Sequence, residues 1–401
     1  MCASPFALKL RQNRRRLLVR LIITISLLIP LYLLLTFFLP RPTTLTKTPL
    51  LALNFPDPCI IQDMASGTWY AFATGSWTPN TSTDTTASDT TTTPPTTTYK
   101  HIQAASAAHP TGPWTYLPSA DPLPTPGPWT AGPGSQTWSP SLTQLTTNTT
   151  PTNPTTTTTT PTNTNTNTTY ILYYSAQLPP PHTHIHCIGA ATSPTSILGP
   201  YTPLPEPILC PLPLGGAIDP SAFRDPADGR RYLLYKVDGN ALGGGGECNN
   251  GVAPFRRTPI VLQEVDGADG VGLVGGGVEV LDRVGEVDGA LVEAPELVWV
   301  SGGDGGGGDK GGRYVLFYSN HCWDGPGYSV NYAVSEENIT GPYKRAEGPL
   351  IRTGDAFNVT APGGAVSVPG GGWMLFHGNC PEGRCLFGAE MKVVGSTVTV
   401  S

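Results

Sequence analysis

Residues 215–240 read GGAIDPSAFRDPADGRRYLLYKVDGN, and the fold follows from how that stretch is built. An acid precedes a proline at Asp219-Pro220. A turn rich in Asp, Pro and Gly follows, and then the apolar run YLLYK at 232–236. The pattern is a short strand, a tight turn and a second strand returning antiparallel to the first.

The same phrase recurs on either side. Apolar, aromatic runs stand at 69–76 (WYAFATGS), 170–177 (YILYYSAQ), 232–239 (YLLYKVDG), 314–321 (YVLFYSNH) and 373–379 (WMLFHGN). Each follows a shorter piece with an X-Pro step: FPDPCI at 55–60, WSPSL at 138–142, IDPSAF at 218–223, EAPELVW at 293–299 and APGGAV at 361–366. A Gly-Pro-aromatic turn (TGPW at 111–114, LGPY at 198–201, TGPY at 340–343) comes after the small-residue strands IQAASA, CIGAATS and NYAVS. One unit is therefore four short strands, and there are five units. Radial repetition of four-stranded antiparallel sheets predicts an all-β five-bladed β-propeller over 51–401, an arrangement that leaves only short edges exposed. A two-sheet sandwich is the alternative, and three phrases recurring in one order count against it. The totals of 47 Gly and 43 Pro suit a loop-dense all-β domain.

Uneven spacing between units has a visible cause. Residues 78–98 and 146–169 are Thr, Pro and Asn tracts that cannot bury a core, and are expected as disordered or O-glycosylated insertions in strand connections. The Gly-rich stretches 242–246 and 302–312 are expected as loops.

The first 50 residues have a different character. Residues 1–16 form a basic tail carrying Lys9, Arg11, Arg14, Arg15 and Arg16, and 17–39 is almost wholly apolar. As a helix, 21–39 would span roughly 28 Å, enough to cross a bilayer. A single N-terminal transmembrane helix acting as a signal anchor is the favoured reading. Its basic flank would lie in the cytosol, a linker at 40–50 would follow, and the propeller would be lumenal or extracellular. A cleaved signal peptide, giving a secreted protein, is the alternative. The run is long for one, and LPRP at 39–42 lacks a small-x-small cleavage pattern.

Eight of the 23 Lys and Arg precede Asp57 and none of the 29 acids does, so the remainder holds 15 basic residues against 29 acidic, a net of −14. Such a domain lacks the basic footprint of a nucleic-acid binder. Seven of the eight Cys lie beyond the apolar run with no CxxC pair, and an oxidising compartment makes disulfides the default. Cys380 and Cys385 are near enough for a local loop and Cys187 and Cys210 for a longer one, with the connectivity open and one thiol left over. N-x-S/T sites at Asn80, Asn148, Asn167, Asn338 and Asn358 fit a lumenal glycoprotein.

In a propeller the first strand of each blade lines the axis, so matching positions converge on one funnel. Blade one places Asp57 there, blade three Asp219, and blade four Glu293, which stands one residue earlier relative to its proline. Ser139 and Ala361 take the position in blades two and five. Converging carboxylates cannot all ionise freely, which separates acid from base roles. An inverting glycosidase needs such a set, one carboxylate activating water while a carboxylic acid protonates the leaving oxygen. Taken singly, each acid reads as a turn-capping residue. Taken together at repeat positions, they predict chemistry.

These phrases resemble glycoside hydrolase family 43 over roughly 51–401. The matching pieces are FPDPCI, GGAIDPSAFRDPADGRRYLLYK, LVEAPELVW with YVLFYSN, and PGG followed by WMLFHG. The resemblance implies a five-bladed propeller acting with inversion on α-L-arabinofuranosyl or β-xylosyl linkages. It implies Asp57 as general base, Asp219 as the acid that orients and tunes, and Glu293 as proton donor. Trp138 would wall the sugar site, with Trp77 and Phe223 as further substrate-binding residues. His377 matches the family's central histidine, beside a structural calcium or a water cluster on the axis. No cofactor is required for the chemistry. The partners expected are a carbohydrate substrate and, through the N-terminal helix, a membrane. No nucleic acid is expected, and the chain should act as a monomer. WSPSL lacks the acid that often follows Trp-x-Pro in the family.

Other constellations are weaker. His182, His184 and His186 alternate, which would put all three on one strand face as in a zinc site, but no Cys or acid completes the set. There is no G-x-S-x-G and no phosphate-binding glycine loop. Trp69, Trp299 and Trp373 read as core, whereas Trp77 and Trp129 lie beside loops where a sugar could stack. A non-catalytic glycan- or protein-binding propeller is the rival reading. A kelch-type scaffold lacks its double-Gly and Tyr-Trp signature here.

Overall fold

A computed structural model describes residues 48–79, 97–149, 165–302, 311–355 and 357–401. It contains five four-stranded sheets of consecutive antiparallel strands, at 59–116, 137–203, 217–281, 292–345 and 360–400. The first strands contact one another in sequence, and that of blade one meets that of blade five, so the ring closes. The five-bladed propeller read from the repeats is the fold.

Five apolar clusters hold it, one between each pair of neighbouring blades. This is why the second strands read as unbroken apolar runs. In Asn165–Gln177, Leu172 and Tyr174 pack toward blade one while Ile171 and Tyr173 pack toward blade three. A strand buried on both faces has no solvent side to mark with polar residues.

The Gly-Pro-aromatic phrase has a shared local structure. Gly112, Gly199 and Gly341 have φ of 90°, 81° and 95°, and each Gly-Pro bond is cis. The aromatic that follows donates to the carbonyl four residues back: Trp114 Nε1 to Pro110, Tyr201 Oη to Ile197 and Tyr343 Oη to Ile339. The turn thereby delivers the chain to the short outer strands Thr115–Tyr116, Thr202–Pro203 and Lys344–Arg345.

Some expected boundaries shift. The Thr-rich tracts begin and end inside the sheets, because the backbone ladder continues through Pro79↔Thr97 and Thr149↔Asn165. The rest of both tracts lies outside the described residues. Leu50, expected in a linker, donates its N–H to Leu386 O, and Leu51 bridges to the same residue, tying the start of the domain to blade five. The expected basic tail and membrane span at 1–39 lie outside the described residues, among which no helix is long and apolar enough to cross a membrane.

Disulfides join Cys187 to Cys210, Cys248 to Cys322 and Cys380 to Cys385, leaving Cys59 as a buried thiol among the described cysteines. Burial pushes the Cys59 thiol up to about 12, so it stays protonated and serves as core.

Candidate active site

The X-Pro step does more than start a strand. The residue before proline has positive φ in every blade: Asp57 (51°), Ser139 (47°), Asp219 (58°), Ala294 (49°) and Ala361 (48°). Such a conformation costs a non-glycine residue about 1–3 kcal/mol, and its fivefold recurrence marks the ring as a place where the surroundings impose it. In a regular strand neighbouring side chains point to opposite faces. Here the left-handed residue breaks that alternation, and ladder register shifts lie beside it in blades two to five. Both the left-handed residue and the one before it then face the same cavity, as Trp138 with Ser139, Ile218 with Asp219 and Glu293 with Ala294. This corrects the expected equivalence of the acids. Ala294, not Glu293, matches Asp57 and Asp219, and Glu293 joins them from the level of Trp138 and Ile218.

A second ring of residues locks the first. Each second-strand run closes on one polar side chain: Thr74, Ser175, Lys236, Ser319 and His377. Four of them accept a backbone N–H from the first strand of the next blade. Thr74 Oγ1 takes Ser139 N–H (2.9 Å), Ser175 Oγ takes Asp219 N–H (3.0 Å), Ser319 Oγ takes Gly364 N–H (3.0 Å) and His377 Nδ1 takes Asp57 N–H (3.1 Å). Lys236 cannot accept. At that joint the Asp219 carboxylate substitutes, Oδ2 accepting Ala294 N–H at 2.8 Å.

The three acids therefore share one cavity of about 740 Å³. Asp57 accepts from Thr74 Oγ1 (2.6 Å) and from Arg384 Nη1 (3.0 Å). Burial would raise its carboxyl, but the Arg384 guanidinium and the Thr74 hydrogen bond outweigh burial and hold it below the usual carboxylate range. His377 is pushed down to about 3 by burial and by Arg384, so it is uncharged near neutrality and the guanidinium is the charge that acts on Asp57. Asp219 behaves oppositely. Burial and the Glu293 carboxylate push it up to about 7 against the pull of Lys236. Both of its oxygens already accept, from Ser139 Oγ (2.7 Å) and Ala294 N–H (2.8 Å). An amide N–H can only donate, so the Asp219 oxygen that meets Ala294 N–H is held as an acceptor.

Lys236 is fully buried and lies 3.2 Å from Glu293 Oε2 and 3.1 Å from Asp238 Oδ1. Burial would strip its proton, but Asp238, Glu293 and Asp219 together keep it charged.

The cavity walls are aromatic. Trp138 stacks on His186 with ring centroids 3.9 Å apart, and burial pushes that histidine down to about 4. Trp77 is 62% exposed and leans on Tyr99. Trp323, 48% exposed, carries the Arg384 guanidinium over its ring at 5.0 Å. Two aromatic expectations are corrected. Phe223 does not line the cavity: it lies near the outer end of Ala217–Arg224 and packs against Tyr314 between blades three and four. Trp129 is buried on Tyr174, its ring filling the space above Gly189, where no side chain stands.

His184 lines the cavity and His186 backs Trp138, while His182 begins the turn before them, so the alternating histidines do not converge. Among the described residues the one acid–thiol–imidazole grouping close enough to hold an ion is Cys380, Glu382 and Cys385, and its sulfurs are spent in a disulfide. His377 is no better suited to a metal. Its Nδ1 accepts Asp57 N–H, so in the neutral ring Nε2 carries the proton. That buried Nε2 has no protein partner. A donor there calls for an oxygen such as water rather than a cation.

Lys236, Asp238, Trp323 and Arg384 were not anticipated as site residues. Lys236 had a signal, since the residue closing each apolar run is polar in all five copies. Arg384 and Trp323 had none: Arg384 stands at the start of the third strand of blade five, which lacks the small-residue phrase of blades one, two and four, and Trp323 lies in the loop before the third strand of blade four.

Residues 129–394 match the model of glycosyl hydrolases family 43. Among solved structures, a thermostable family-43 glycoside hydrolase is 17% identical with a TM-score of 0.57, covering 87% of this chain and 93% of that one. An endo-1,4-β-xylanase from Bacteroides thetaiotaomicron is 18% identical (TM-score 0.54, coverage 88% and 96%), and a Bacillus subtilis arabinanase is 18% identical (TM-score 0.52, coverage 88% and 100%). At such identities the likeness is one of fold. No curated protein matches the chain.

Proposed function

The chain belongs to family 43 of the glycosyl hydrolases, and from that premise we propose that it hydrolyses α-L-arabinofuranosyl or β-xylosyl linkages with inversion. Asp57 is the general base. The Arg384 guanidinium keeps it ionised, and it takes a proton from the attacking water. Glu293 is the proton donor to the leaving oxygen. Asp219 holds the ring geometry through Ser139 and Ala294, and its negative charge keeps the neighbouring proton in place. Trp77, Trp138 and Trp323 offer ring faces to the sugars. The observation that carries this reading is that Asp57, Asp219 and Glu293, from three blades, line one cavity.

The test is a screen of arabinan, arabinoxylan, xylo-oligosaccharides and the two p-nitrophenyl pentosides, with the anomer of the first product read by proton NMR. Release of the inverted anomer from either pentoside class supports the reading. A folded protein that binds the glycans and cuts none would favour the non-catalytic rival.

We further place the propeller on the lumenal or outer face of a membrane, anchored through 17–39 and acting as a monomer. Three disulfides suit an oxidising compartment. Carbonate extraction of the expressed chain tests the anchor: release into the soluble fraction would favour cleavage and secretion. A structural calcium or a water on the axis beside the buried His377 Nε2 would take no step in this chemistry.

A further inference from the structure

Resting on the hydrolase reading, we propose that Asp238 is a positioning residue for the proton donor and acts through Lys236. An ammonium 3.2 Å from Glu293 works against the role given to that carboxyl, because a cation favours loss of the proton that must be donated. Lys236 is not free to exert its full charge there. On its other side Asp238 stands 3.1 Å away, buried, with no hydrogen-bond partner for that Oδ1 apart from the ion pair. The three groups form a buried line, Asp238 to Lys236 to Glu293, in which the first carboxylate neutralises the cation. The second can then keep a proton shared with Asp219.

Around this line, Asp57 acts on Asp219 from blade one but is itself paired with Arg384. Asp219 approaches from the first strand of blade three, and Tyr328 from the turn ahead of the third strand of blade four. His186, beside Lys236 and Asp238, is pushed down to about 4 by burial and is uncharged near neutrality. Tyr328 is raised far above neutrality by burial and is likewise neutral. Asp238 is thus the group placed to offset Lys236 without itself facing the Asp219–Glu293 proton. Lys236 also shapes the joint between blades three and four. It fills the one ring position that cannot accept a backbone N–H, which obliges Asp219 to take Ala294 N–H and so fixes Asp219 beside Glu293.

The experiment compares Asp238→Asn and Lys236→Met with the parent enzyme on a substrate with a poor leaving group. Asp238→Asn leaves the cation uncompensated, so the alkaline limb of kcat/KM should move down by about one pH unit, the size expected for a charge at this range. Lys236→Met removes the cation, so the limb should move up. Opposite signs are the signature, since a packing defect would depress both variants without moving the limbs apart. The same displacement is to be read without turnover from the carboxyl 13C titration of Asp219 in each folded variant, assigned by its loss in Asp219→Asn. Should the parent cut no glycoside, that titration still decides the electrostatic claim while the hydrolase reading falls. A limb and a titration unmoved in Asp238→Asn, with only KM raised, would overturn the proposal and make Asp238 a sugar contact.

Discussion

Arg384 Nη1 donates to Asp57 Oδ1 at 3.0 Å across 327 residues of sequence, joining the last blade to the first. The guanidinium lies over the Trp323 ring at 5.0 Å, and the Arg384 backbone is held by Asn54 Oδ1, which accepts its N–H at 3.0 Å. Asp57 is thus fixed by blade five as firmly as by its own blade. Arg384→Met should therefore leave Asp57 ionising at higher pH. The acid limb of kcat/KM should move up by about one unit or more, with the loss growing as pH falls toward that limb and smallest at about pH 8. The pH–rate profile checks this, and an unmoved acid limb would remove Asp57 from the role of base.

Glu293→Gln and Asp219→Asn should be separable from Asp57→Asn by leaving group. Proton donation contributes typically 10²- to 10⁴-fold, so Glu293→Gln should lose that much on oligosaccharides and far less on activated aryl glycosides. Asp219→Asn should resemble it more weakly, with the alkaline limb displaced to lower pH, because the like charge that retains the proton is gone. Asp57→Asn should abolish both reactions. Equal losses on both substrate types for Glu293→Gln would contradict its role.

Asp219 also makes a prediction about folding. Its carboxyl is raised to about 7 in the native protein, against roughly 3.9 when unfolded. Between those values the native state binds more protons than the unfolded one, so this group makes stability fall as pH rises from about 4 to 7. The slope is at most about 1.4 kcal/mol per pH unit. Asp57, depressed instead, adds stability above its unfolded value and loses it only as pH falls below about 4. Urea midpoints measured between pH 4.5 and 7 should flatten in Asp219→Asn. A parent protein with no decline over that window would show that Asp219 is not the raised group.

Two tryptophans beside loops should part company. Trp77→Ala removes an exposed ring at the cavity and should raise KM several-fold, the scale of about 0.5–1.5 kcal/mol for one aromatic contact, with unfolding unchanged. Trp129→Ala empties a buried site between blades and should cost about 3–5 kcal/mol of stability. Chemical denaturation and Michaelis kinetics on both variants decide it, and an exchange of these effects would reverse the assignment.

Reduction should act on the site as well as on the fold. Cys322 precedes Trp323, and Cys385 follows Arg384, so a disulfide adjoins each partner of the stack over Asp57. Removing Cys248–Cys322, which closes 74 residues, should cost up to about 4 kcal/mol, and removing Cys380–Cys385, which closes 5, about 2 kcal/mol or less. The second pair should nonetheless shift the acid limb upward as Arg384→Met does. A Cys380→Ser/Cys385→Ser enzyme with the parent profile would show that the hairpin positions Arg384 unaided.

How much of this was legible in the chain follows from what repeats. The X-Pro steps, the apolar runs and the Gly-Pro-aromatic turns recur because each blade solves the same packing problem, burying both faces of its second strand. Five copies of one phrase therefore sufficed for the propeller and for the convergence of Asp57, Asp219 and Glu293. The polar residue closing each run was on view too, in Thr74, Ser175, Lys236, Ser319 and His377. What it does depends on the next blade's backbone, which no single phrase contains.

The sequence alone determined the architecture and the identity of the three acids, since periodic burial and an acid beside a repeated proline are local facts. The tertiary structure alone decided which carboxylate is held ionised, which is raised by burial and a like charge, and that Phe223 and Trp129 belong to the core. Those outcomes depend on charges and packing partners brought together by ring closure, as when Arg384 reaches Asp57 from the far end of the chain.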